Sequence, residues 1–129
     1  MPSDQFHIEK AERNEEFYNS FGLSTSTFNE WAAVVLFYVA MHYVDAILAR
    51  EAGIPSTFQH PTSHVRRNSA LSMCPTLNSI ASAYLHLYNR SREARYDFIN
   101  FPDGYLGQLQ ASYFDPTRQN LRTALGLPP

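Results

Sequence analysis

The chain has 129 residues, of which 44% are apolar and 14% aromatic; this supplies one hydrophobic core and argues against both intrinsic disorder and a second independent domain. A net charge of −2 excludes the strongly basic balance of a general nucleic-acid coat protein. The average conceals an uneven distribution, with eight acids against three bases in residues 1–51 and five arginines (Arg66, Arg67, Arg90, Arg92, Arg95) against Glu93 alone in residues 52–95.

Ser3 to Phe21 reads as a first helix, with Phe6, Lys10, Arg13, Phe17 and Phe21 near the helical period and Ile8, Ala11, Glu15 and Tyr18 alongside. Gly22 ends it, and Ser24–Thr27 form a polar break. Thr27 followed by Glu30 is a capping-box pattern that opens a second helix running to about Ala52. The apolar residues of this helix (Trp31, Val34, Val35, Tyr38, Val39, Met41, Ile47, Leu48) cover more than one face, so it is expected at the centre of the fold, against several neighbours or a partner chain. Its longest uncharged apolar run, Trp31 to Met41, is too short to cross a bilayer core of about 30 Å, so no membrane association is expected.

Gly53 and Pro55 stop that helix, and a loop rich in Pro, Ser, Thr and His continues to Ser63, which can cap a short helix from His64 to about Met73. Pro75 fits the first turn of a third long helix whose buried stripe is Leu77, Ile80, Ala81, Tyr84, Leu87 and Tyr88. Residues 89–101, dense in arginine and aromatics, either extend it or bend away. Asp103 can cap a last helix through Leu106, Leu109, Tyr113 and Phe114, which Pro116 either kinks or restarts. No segment alternates with period two. The expected fold is all-α, a single antiparallel up-and-down bundle of four to five helices spanning residues 1–129.

The chemistry-bearing residues begin on the second helix, where Tyr38, His42 and Asp45 stand at i, i+4 and i+7 on one stripe of an otherwise apolar element. Burying ionisable groups is costly unless they are paired, so partners are expected from His64 with Arg67, one turn apart, or from the run Tyr88 to Tyr96, which carries Arg92, Arg95 and Tyr96. Two readings are open: a structural network that fixes helix packing, or a ligand site that uses guanidinium for carboxylate or phosphate and histidine for protons. Metal ligation has workable spacings at His42/Asp45 and His60/His64, but no HExxH, Cys pair or Glu-x-x-His accompanies them, and no cofactor or metal is expected. Cys74 is the only cysteine and reads as a packing residue, and Gly104 and Gly107 do not make a phosphate loop. Met1–Gln5 lack the basic start and apolar stretch of a secretory signal, so a cytoplasmic setting is expected.

The segments Trp31–Ala46 with Tyr38, His42 and Asp45, then His64-Val65-Arg66-Arg67, then Tyr84 through Arg92-Glu93-Ala94-Arg95-Tyr96, resemble in order and type the HEPN family of small helical domains, over roughly residues 10 to 125. The resemblance implies a helical bundle that pairs into homodimers and has a nucleotide, RNA or protein partner. Many members are ribonucleases of toxin–antitoxin, phage-defence or RNA-processing systems, which use an arginine followed four to six positions later by histidine. This chain departs from that pattern, because no histidine follows Arg92 or Arg95, the last one being His86. The leading expectation is thus a dimeric binding domain using Tyr38, His42, Asp45, His64, Arg67, Arg92, Arg95 and Tyr96. The alternatives are a ribonuclease or phosphoryl-transfer enzyme, with His42, His64 and the arginines, and a metal-dependent bundle enzyme with His42, Asp45 and His64 as ligands.

Overall fold

A computed structural model of the chain describes residues 3–20, 29–97, 101–102 and 104–129. All regular structure among them is helical: α1 (Asp4–Asn19), α2 (Asn29–Arg50), α3 (Ser56–Gln59), α4 (His64–Ala70), α5 (Pro75–Asn78), α6 (Ala81–Tyr96), α7 (Tyr105–Leu109), a π-helical turn (Gln110–Phe114) and α8 (Asp115–Ala124). The expected caps at Thr27 and Asp103 lie outside the described residues.

α1 opens where the Ser3 hydroxyl accepts a hydrogen bond from the Phe6 amide at 3.1 Å, with Asp4 in the first turn where the helix dipole favours an acid. Its inward row is Ile8, Ala11 and Tyr18, whereas Phe6 and Phe17 of the neighbouring row are 44% and 53% exposed. Asp4 pairs with Arg50 at the far end of α2, and His7 stacks on His42, so the two helices run antiparallel. Glu15 and Glu12 of α1 meet Arg118 and Arg122 of α8, which sets α8 antiparallel to α1 and alongside α2.

α2 occupies the centre and packs against α1, α6 and α8. The 21 residues Glu30–Arg50 are apolar and long enough to cross a membrane, yet 78% of their 18-residue window is buried inside the bundle. The wide apolar coverage of α2 is therefore consumed within its own chain, where Leu36, Phe37, Val39, Val44 and Leu48 are sealed, leaving Trp31 outside at 58% exposure.

The connection from α2 to α6 differs in detail from its sequence pattern. The Gly53–Ser63 loop contains the single turn α3, whose Gln59 amide donates to the Ala49 carbonyl at 2.9 Å and satisfies one of the groups left open at the end of α2. α4 is shorter than expected and stops at Ala70. Pro75 does start a helix, but α5 lasts one turn; α6 starts afresh at Ala81 and continues through the arginine-rich run to Tyr96. Pro116 lies in the first turn of α8, directly after the π turn; widening the helix there relieves the clash its ring would make with a carbonyl one turn back. Gly126, at φ +74°, closes α8 with the Leu127 amide donating to the Arg122 carbonyl at 2.9 Å.

Ser63 holds α4, and with it His64 and Arg67, by accepting from the Arg66 amide at 3.2 Å. Ser63→Ala is expected to cost about 1 kcal/mol of stability, as loss of a helix cap usually does. Urea unfolding checks this, and an unchanged midpoint would count against it.

Candidate functional site

Asp45 and Arg67 form a pair sealed between α2 and α4. Arg67 Nε donates to Asp45 Oδ1 at 2.6 Å and Nη2 to Oδ2 at 3.1 Å, a two-point contact between residues 5% and 7% exposed. Burial pushes the Asp45 carboxyl upward, and the guanidinium opposes it. With both oxygens accepting from guanidinium N–H groups, the geometry is that of a carboxylate. Of the three arginines expected as partners for Asp45, Arg67 is the one that reaches it.

Arg67 also faces outward. Its Nη1 lies 3.3 Å from His64 Nδ1, and because arginine only donates, Nδ1 is the acceptor and the proton of the neutral ring is on Nε2. Burial first, then Arg67, Arg95 and Arg92, hold His64 below the usual imidazole range. The ring packs against Phe37, Tyr38 and Tyr88. Beside it, Arg95 Nη1 donates to the Tyr38 hydroxyl at 3.0 Å and Nε to the Ser91 carbonyl at 3.4 Å. The Arg95 guanidinium lies 5.8 Å from the centre of the Tyr38 ring and 5.1 Å from that of Tyr96, and Arg92 lies 5.7 Å from that of Tyr88. Neither Arg92 nor Arg95 has a carboxylate partner among the described residues, whereas Arg90 is neutralised by Glu93 at 2.6 Å.

Five of the expected site residues, Tyr38, His64, Arg67, Arg95 and Tyr96, thus form a connected set with Arg92 at its edge, and Asp45 anchors it from below. A surface groove of about 310 Å³ continues along α6, lined among the described residues by Asn89, Arg90, Arg92, Glu93, Tyr96 and Asp97. Tyr96 is 72% exposed at this opening.

His42 does not join this set. It turns toward α1, where its ring stacks on that of His7 at 5.9 Å, and its surroundings include His7, Arg67 and Lys10 but neither Arg92 nor Arg95. Within one chain His42 thus faces α1 and Arg67 rather than the Arg92 and Arg95 side of α6. His7 escaped the sequence reading because it sits in a charged helix. The available signal was its place in the row His7, Ala11, Tyr18, whose other two members are buried.

The half-buried histidines give the fold an acid-sensitive edge. His7, His42, His64 and His86 all lie below the usual value of 6.5, His42 down to about 4, with burial the leading cause for each. Between the lowered folded value and 6.5 the unfolded chain binds more protons than the folded one, so stability falls as pH drops from 6.5 toward 4. The slope is at most about 1.4 kcal/mol per pH unit for each proton taken up. Thermal melts at descending pH should show the midpoint falling across this window, and a flat profile would contradict it.

No family model matches the chain, and neither the curated proteins nor the solved structures give a match to it.

Proposed function

We propose that this chain is a HEPN-like domain that binds the phosphates of a nucleotide or single-stranded RNA on the α6 face carrying Arg92, Arg95 and Tyr96, with Tyr38 and His64 behind them, and that it acts as a cytoplasmic homodimer. The observation that carries the reading is Arg95, a guanidinium with no carboxylate partner among the described residues, oriented by the Tyr38 hydroxyl and the Ser91 carbonyl and flanked by two tyrosine rings. Guanidinium matches phosphate geometry, and an exposed ring such as Tyr96 offers a face on which a base can stack. The resemblance in residue order and the bundle architecture support the family reading, while the exposed Trp31 is apolar surface available to a second copy.

The test is titration of a labelled single-stranded RNA with the protein at increasing salt. Two phosphate contacts predict an affinity loss of about sevenfold between about 50 and 200 mM salt, each contact contributing a logarithmic slope of about 0.7. Binding that ignores salt would overturn the reading, and the absence of binding at low salt would favour a protein partner instead.

A second reading, phosphoryl transfer at the same face, rests on His64, a neutral imidazole surrounded by Arg67, Arg92 and Arg95. The Nε2–H of His64 would donate a hydrogen bond to a phosphate oxygen, and guanidinium would stabilise phosphate charge. RNA cleavage lost in His64→Ala and kept in His42→Ala is its signature.

A further inference from the structure

We infer that His7, His42 and Asp45 form a binding site for a divalent transition-metal ion of the Zn²⁺ class, at the α1–α2 crossing and apart from the arginine face. Each residue offers one ligand atom, and the three atoms lie within 4.8 Å of one another. Two imidazole nitrogens and one carboxylate oxygen are a donor set such ions take, and three protein ligands leave a further position open.

The surroundings point the same way. Among the described residues, Nδ1 of His7 and Nδ1 of His42 are buried with no hydrogen-bond partner. Buried polar atoms are ordinarily satisfied, so two orphaned imidazole nitrogens on rings beside one carboxylate call for a shared partner.

Arg67 sets the limits of the site. A carboxylate has about four lone-pair positions, and the guanidinium uses one on each oxygen, which leaves another on each for a metal. In that arrangement Arg67 orients the ligating carboxylate, as outer-shell partners commonly do, while its charge and that of Lys10 weaken the attraction for a cation. His64, the third ligand expected from sequence, is engaged with Arg67 and gives way to His7.

The experiment is calorimetric titration of the full, tag-free chain with Zn²⁺ after dialysis against chelator. One ion per chain is expected. His7→Ala should weaken binding at least about 100-fold, since loss of even an outer-shell partner costs 10–100-fold, and His86→Ala, at a ring stacked on Tyr113, should leave affinity unchanged. Ring-proton NMR of the unaltered protein removes any dependence on how the variants fold, because Zn²⁺ should shift the signals of His7 and His42 and not that of His86. Failure of the unaltered chain to bind Zn²⁺, binding unaffected by His7→Ala, or shifts confined to other histidines would each overturn the assignment.

Discussion

Arg67→Ala is expected to lower the free energy of unfolding by about 3–5 kcal/mol, because it strands the Asp45 carboxylate in the interior. The pair is closed from solvent on both sides, with side-chain exposures of 9% and 7%, so water does not replace the lost guanidinium. Arg67 also donates to His64, so its removal loosens the arginine face as well as the core. For a domain of this length the loss corresponds to a fall of about 11–18 °C in the melting midpoint. Asp45→Asn should be milder, since it keeps one acceptor and leaves the buried guanidinium partly satisfied. Replacing both members together, as in Asp45→Leu with Arg67→Met, should recover much of the stability, because the desolvation cost of both ions disappears with their attraction. Equal destabilisation by the single and the double replacement would mean that packing, rather than an unpaired charge, sets the cost.

Arg95→Ala is expected to have the largest effect on nucleotide or RNA binding under the proposed function. A hydrogen bond to a charged group contributes about 1.5–3 kcal/mol, so its loss should weaken binding by roughly 10- to 150-fold. Arg95 should matter more than Arg92, because bonds to Tyr38 and Ser91 hold its guanidinium in place, whereas among the described residues Arg92 has only the Tyr88 ring. The logarithmic salt slope should fall by about 0.7 with each arginine removed. Tyr38→Phe separates orientation from charge: it keeps the ring beside Arg95 and deletes the hydroxyl that accepts its N–H. A loss smaller than that of Arg95→Ala, with the salt slope unchanged, is the expected outcome. Fluorescence anisotropy with one RNA across the three variants reads all of these effects, and equal binding by Arg95→Ala and the unaltered chain would contradict them.

The sequence made the helical architecture legible because its strongest signals are local. Ser63 caps a helix as its type predicts, and the apolar character of α2 marks a central element. The pairing of Asp45 with a downstream arginine also followed, since a carboxylate on such a helix needs a cation. Which arginine was not legible: Arg67 is selected by the rotation of α4 on its Ser63 cap, a tertiary outcome. The facing of α1 was ambiguous for a similar reason. Phe6 and Phe17 suggested one buried row, whereas contact with α2 and α8 favours the slimmer row of Ile8, Ala11 and Tyr18. The same ambiguity concealed His7. Arg122 was invisible in the chain order, although it is buried and donates both to the Tyr43 hydroxyl at 2.6 Å and to the Pro128 carbonyl at 2.6 Å. Residues so far apart in sequence meet only once the helices have packed.

Placement of phosphate on the α6 face can be read directly from the side-chain Nε–H signals of the arginines in an NMR titration of the unaltered protein with a short single-stranded RNA. Arg92 and Arg95 should shift together and saturably, while Arg118 and Arg122, occupied by Glu15, Glu12 and Tyr43 on the opposite side of α2, should stay in place. Shifts at Arg118 and Arg122 with Arg92 and Arg95 unmoved would contradict the assignment of this face.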